Sequence, residues 1–244
     1  MESHSNMNTK NPVILVTGAS SGIGYHTAKS LAASTNCHII AIARSAAALE
    51  ALKTDCQNTP GTIYPVTIDL LIENDLNKLQ NFITEAFGKL DAIINNAGLL
   101  INKPFTELTD NDWRTTLETN LLAPVKLIRM FYQELCHSQL AHVVNISSMG
   151  GFQGSVKFPG LSAYSTAKGG LSILTESLQA EFGEKITVNC INLGAVDTPM
   201  LQQAFPNLKT TVSPNQISEF ISNFTLHHHH ICKGKTIPLA ATTP

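Results

Sequence analysis

The chain has 244 residues, 43% of them hydrophobic and 14% charged, with a formal net charge of −2. That is enough apolar sequence to bury a substantial core, and so small a charge gives no electrostatic footprint for nucleic acid or an anionic membrane. No apolar run approaches a bilayer span, and the five cysteines fall at no metal-ligand spacing, which predicts free thiols in a reducing, cytoplasmic compartment.

In chain order, residues 1–11 are polar and lack the apolar segment of a secretion signal. They are expected to form a flexible leader to a single domain over 12–244. The continuous Val/Ile/Leu run at 13–16 predicts a strand buried on both faces. A glycine-rich turn follows, and then a helical pattern over 24–34. Further strands are expected at 38–43, 63–68, 92–95, 142–146, 187–193 and 236–239. Helices are expected between them at 46–57, 76–87, 110–136, 163–182 and 215–226, the stretch 110–136 being read as one helix. Ser213 and Pro214 supply an N-cap and a first helical residue. His227, His228, His229 and His230 precede the last strand. A solvated loop is the expected reading, with a metal tract or a tag remnant as alternatives. This alternation specifies an α/β fold, a doubly wound Rossmann-type domain with a parallel sheet of about seven strands.

Two segments carry chemistry. Gly18, Ser20, Ser21, Gly22, Ile23 and Gly24 stand between the first strand and the first helix. A turn of this kind lets the backbone approach a dinucleotide pyrophosphate, and the helix N-terminus offers unpaired N–H groups and partial positive charge. The spacing is G-x-x-x-G-x-G rather than G-x-G-x-x-G. Tyr164 and Lys168 stand four residues apart in an expected helix, so both project from one face. An ammonium beside a phenol stabilises the phenolate, and the expectation is a lowered tyrosine pKa suited to proton transfer.

The Thr17 to Gly24 turn and the Tyr164 to Lys168 segment together resemble the short-chain dehydrogenase/reductase family. The resemblance continues through Asn95-Asn96-Ala97-Gly98, Thr119-Asn120-Leu121, Asn145-Ile146-Ser147-Ser148 and onward to Thr198, covering nearly the whole chain in the right order. It implies hydride transfer between a nicotinamide and a carbonyl or secondary alcohol. Tyr164 would be the general acid or base, and Lys168 would also hold the nicotinamide ribose. Ser148 would polarise the substrate oxygen, with Ser147 as its competitor, and Asn120 would hold a water linking Lys168 to solvent. Asn96, Ala97, Gly98, Gly194 and Val196 would lie along the cofactor, and Thr198 would hold its carboxamide. Asp69 and Leu70 would contact the adenine, with a plain turn aspartate as the alternative for Asp69.

The second strand ends Ala43-Arg44, with no acid to grip a ribose 2′-hydroxyl. Arg44 can pair with a 2′-phosphate, so NADP(H) is preferred and NAD(H) is the alternative. Residues 199–213 are expected to form a lid, whose apolar contents (Met200, Leu201, Ala204, Phe205, Leu208) suit an apolar substrate portion or packing on the protein itself. Three departures from the family pattern stand out. Sixteen positions separate Ser148 from Tyr164, longer than usual; Leu193-Gly194 replaces Pro-Gly; and no Asp-Gly-Gly follows the last strand. Alternative functions are a 3-oxoacyl-carrier-protein reductase, with Lys103, Arg114, Lys126 and Arg129 as a candidate basic patch, and a non-catalytic NADP-binding regulator. The resemblance also implies a homodimer or homotetramer, in which Gly169 and Gly170 would permit close approach between subunits.

Overall fold

The computed structural model describes residues 10–241, so residues 1–9 of the expected leader lie outside the described residues. The elements run β1 (Val13–Thr17), α1 (Gly22–Ser34), β2 (His38–Ala43), α2 (Ala46–Asp55), β3 (Thr62–Thr67), α3 (Glu73–Ala86) and β4 (Ala92–Asn95). They continue α4 (Asp110–Leu117), a π-helical turn (Glu118–Leu122), α5 (Ala123–Met130), α6 (Tyr132–Cys136), β5 (His142–Ser148) and α7 (Ser162–Phe182). The last are β6 (Thr187–Leu193), α8 (Pro199–Ala204), α9 (Pro214–His227) and β7 (Thr236–Leu239).

Seven parallel strands form one sheet in the order β3-β2-β1-β4-β5-β6-β7. The central strands alternate between two apolar clusters. Ile14, Val16, Ile39, Ala41, Ile94 and Ile191 face a cluster that includes residues of α1, α2 and α9. Val13, Leu15, Ile40, Ile42, Ile93 and Val188 face the other, with α3 and α5. Burial on both faces explains why these strands read as unbroken apolar runs. The chain steps outward from β1 to β3, then returns to place β4 beside β1. The crevice at the carboxyl ends of β1 and β4 is where such sheets bind ligands.

The expected continuous helix over 110–136 is corrected. It is interrupted at Glu118–Leu122, where the Ala123 N–H reaches back to the Glu118 carbonyl, and again at Phe131. Pro124 has no N–H to give the Asn120 carbonyl four residues back. Asn120 also turns its side chain inward, donating to the Leu99 and Thr116 carbonyls at 2.8 and 2.9 Å and accepting from the Leu99 N–H at 3.1 Å.

A Cβ on Gly169 would lie 3.3 Å from the Gly151 carbonyl oxygen, and one on Gly170 would lie 3.1 Å from Leu121 Cδ2, so both glycines also accommodate neighbours within the same chain. One other expectation changes. The histidine run is not wholly solvated: His227 ends α9, and His229 is half-buried with its ring centroid 6.0 Å from that of the fully buried His142. Among the described residues no group of three or more His, Cys, Asp or Glu is placed to hold a metal ion.

Candidate active site

The glycine turn is shaped by steric demand. Gly18 has φ +68°, a left-handed conformation that glycine adopts freely. Gly24 is packed so closely that a Cβ there would lie 2.3 Å from the Gly18 carbonyl oxygen and 2.4 Å from Asn96 Nδ2. Asn96 secures the same turn from β4, donating from Nδ2 to the Thr17 carbonyl at 3.0 Å. Thr17 Oγ1 accepts from the Asn96 and Ala97 N–H groups at 2.9 and 2.8 Å. Ser21 caps α1 without a side-chain hydrogen bond, and the first turn carries no acidic residue. The helix therefore presents its N–H groups and positive end to an anion. These features fit a dinucleotide pyrophosphate.

On the other side of the crevice, β5 ends at Ser148 and α7 carries Tyr164 and Lys168 one turn apart on its buried face. Lys168 Nζ donates to the Ile146 carbonyl at 2.7 Å and lies 5.9 Å from the centroid of the Tyr164 ring. Ser147 Oγ is committed to the Lys168 carbonyl at 2.9 Å. Ser148 accepts from the Gly150 N–H at 3.1 Å and lies close enough to Tyr164 to influence its phenol. Gly98 closes the group: a Cβ there would meet Asn120 Oδ1 at 3.0 Å and Lys168 Nζ at 3.8 Å.

One cleft of about 680 Å³ joins the two halves. Gly18, Ser20, Ser21, Gly22 and Ile23 line it from the turn, and Arg44, Asp69 and Leu70 from the ends of β2 and β3. Asn96, Ala97 and Gly98 line it from β4, Gly194, Val196 and Thr198 from the loop after β6, and Ser148, Tyr164 and Lys168 from the far side. Two expected site residues lie behind this wall. Gly24 is buried in the turn-to-helix packing, and Asn120 is buried with its amide spent on Leu99 and Thr116. Asp69 lines the cleft and also makes a turn, accepting from the Leu71 N–H at 2.9 Å. Wall residues that the sequence reading passed over include Leu100, Thr115, Met149 and Leu161. They lie outside the motif stretches, so no local pattern marked them.

The electrostatics reverse one expectation. Burial pushes the Tyr164 phenol up to about 12, with the Ser148 hydroxyl pulling the other way. Burial also drives the Lys168 ammonium down to about 8, opposed by Cys190. The lysine does not bring the phenol toward neutrality here, because desolvation outweighs a cation whose Nζ is turned to the Ile146 carbonyl. At neutral pH the tyrosine therefore holds its proton.

A family profile described as short chain dehydrogenase matches residues 12–209. The chain is 31% identical over 218 residues to a fatty acyl-CoA reductase of Acinetobacter baylyi, covering 88% of this chain and 72% of that one. It is 34% identical over 197 residues to dehydrogenase/reductase SDR family member 11 of Gallus gallus, covering 76% and 75%. In fold it is similar to an L-sorbose reductase of Gluconobacter frateurii, solved with NADPH and L-sorbose, with TM-score 0.85, 21% identity and 98% of each chain covered. A 3-ketoacyl-(acyl-carrier-protein) reductase of Brucella melitensis, solved with NADH, gives TM-score 0.83 at 21% identity, covering 96% of this chain and 98% of that one. With the profile spanning most of its length, the chain belongs to the short-chain dehydrogenase family of oxidoreductases.

Proposed function

We propose that this protein is an NADP(H)-dependent oxidoreductase that interconverts a carbonyl compound and a secondary alcohol. The observation that carries the reading is the grouping of Ser148, Tyr164 and Lys168 in the same cleft as the glycine turn. A bound nicotinamide supplies or accepts the hydride at the substrate carbon. Gly18, Ser20, Ser21, Gly22 and Ile23 bind the pyrophosphate with backbone donors, and Asn96, Ala97, Gly98, Gly194, Val196 and Thr198 orient the nicotinamide half. Leu70 and Asp69 bound the adenine. In reduction Tyr164 donates its proton to the carbonyl oxygen, and Ser148 hydrogen-bonds that oxygen as charge develops on it. The raised phenol pKa suits the acid role, since the proton is present at neutral pH. Lys168 then stabilises the phenolate and assists its reprotonation. The Asn120 carbonyl, which Pro124 leaves without its helical donor, is the group suited to hold the relay water, because the Asn120 amide is already engaged.

Arg44, exposed at the end of β2, favours NADP(H) over NAD(H) by pairing with a 2′-phosphate. The segment 199–213 acts as a lid. Among the described residues no helix is long and apolar enough to cross a membrane, and all five cysteines are free, which supports a cytoplasmic protein. Exposed Leu122 and Ile173, on the π turn and α7, support a homodimer or homotetramer. A second reading, 3-oxoacyl-carrier-protein reduction, is favoured by Lys126 and Arg129, which line one surface groove. Fluorescence titration with NADPH and NADH tests the core of the proposal. Tighter NADPH binding is expected, equal affinities would remove the NADP(H) assignment, and no binding of either would overturn the oxidoreductase reading.

A further inference from the structure

We infer that the substrate is an uncharged ketone or aldehyde bearing an alkyl or aryl group, recognised through apolar contact beyond its one polar oxygen. This rests on the oxidoreductase reading above and names the substrate class of that same site. Among the described residues the charged side chains lining the cleft are Arg44, Asp69 and Lys168. Arg44 and Asp69 stand at the ends of β2 and β3, on the glycine-turn side, and Lys168 is turned to the Ile146 carbonyl. Beyond Ser148 and Tyr164 the wall is built mainly from Leu100, Phe158, Leu161, Met200, Phe205 and Leu208, with Thr115 and Thr119 as further polar side chains of the cleft.

Three of these side chains are left exposed by the chain itself. Phe158 is 48% exposed, Met200 37% and Leu208 50%, and all three border the same cleft. Large apolar side chains gathered in one concavity mark a binding surface, because covering them removes apolar area from water. Their positions relate to the unusual parts of the chain. Phe158 lies within the lengthened stretch between Ser148 and Tyr164, and Met200 and Leu208 belong to the lid. The lid is tied down at its flanks, with Asn102 Nδ2 donating to the Ala204 carbonyl at 2.9 Å and Thr210 Oγ1 to the Ala195 carbonyl at 2.9 Å. Its apolar residues are thereby held against the cleft. A polyol would find few partners for its hydroxyls at this wall, and a carboxylate no cation.

The test is a specificity series with NADPH as reductant, running from 2-butanone to 2-decanone, with a ketose and a 2-oxo acid as polar counterparts. The expected result is a rise in kcat/KM of about fourfold per methylene until the cleft is filled. The ketose and the oxo acid should lie at least a hundredfold below the longer ketones. A binding readout independent of turnover is the rise in melting temperature given by secondary alcohols of increasing length in the presence of NADP+, which should grow with chain length. Leu208→Asp, at a half-exposed position, should flatten the length dependence in both series. A flat length dependence, or preference for the ketose or oxo acid, with NADPH binding intact would overturn this inference and leave the oxidoreductase reading standing. Failure to bind NADPH together with no turnover of any carbonyl would overturn both.

Discussion

Replacing Lys168 by methionine should abolish activity while leaving the fold as stable or more so. The side chain is buried, and its ammonium is driven from 10.5 to about 8, chiefly by desolvation. At about 1.4 kcal/mol per pKa unit, holding the charged form inside at neutral pH costs on the order of 3 kcal/mol relative to the unfolded chain. Methionine fills similar space without that penalty. It forfeits the ammonium's 2.7 Å hydrogen bond to the Ile146 carbonyl, a loss of roughly 2 kcal/mol. The balance is a gain of about 1 kcal/mol, or roughly 2–4 °C in melting temperature for a chain of this size. The pH dependence isolates the cause. The native pKa lies below the unfolded one, so between about pH 8 and 10.5 the unfolded chain binds more protons and wild-type stability rises with pH. The variant's advantage should therefore be greatest below pH 8 and vanish toward pH 10.5. Thermal melts of both proteins at pH 7, 9 and 10, alongside NADPH oxidation, provide the assay. A variant several degrees less stable at pH 7, or a difference that ignores pH, would refute the reasoning.

Arg44→Ala should weaken NADPH binding at least tenfold relative to NADH, by loss of a charge-assisted contact, as read from paired fluorescence titrations; an unchanged ratio contradicts the assignment. Gly24→Ala places a methyl 2.3 Å from the Gly18 carbonyl oxygen, so the start of α1 must shift. It should cost about 1–3 kcal/mol of stability and weaken nucleotide binding, measured by urea midpoint and titration. His142 is fully buried and neutral, with Nδ1 2.9 Å from the Thr225 carbonyl oxygen and Nε2 3.0 Å from Asn189 Nδ2. Burial lowers its pKa to about 4, so between pH 6.5 and 4 the unfolded chain binds the extra proton and stability is lost as the pH is lowered, by on the order of 3 kcal/mol in total. An NMR titration should find this imidazole neutral at pH 5.5, and protonation there would contradict the account.

The sheet was legible because strands buried on both faces leave continuous Val/Ile/Leu runs, and β2, β4, β6 and β7 begin and end where the sequence places them. The glycine turn and the Tyr164–Lys168 pair were legible for a related reason: close approach and one-turn spacing are local demands written into consecutive residues. What depends on distant parts of the chain was not. The break before α5 was missed although Pro124 stands beside it, and the inward turn of Asn120 depends on Leu99, which lies elsewhere in sequence. The choice of Ser148 over Ser147 gains support from Ser147's bond to the Lys168 carbonyl, a contact no pattern reveals. The sign of the Tyr164 shift was missed because spacing conveys proximity to a cation but not how completely water is excluded. Apolar wall residues such as Leu161 and Leu100 carry no motif, and folding alone brings them together.

The central claim is that Tyr164 delivers the proton in an NADP(H)-linked carbonyl reduction. It is tested most directly by following NADPH oxidation with 2-octanone in wild type and Tyr164→Phe, with NADPH affinity measured in parallel. The account predicts turnover by wild type, a loss of about 10²–10⁴-fold in kcat for the variant, and NADPH affinity nearly unchanged. A variant that keeps wild-type kcat would contradict it.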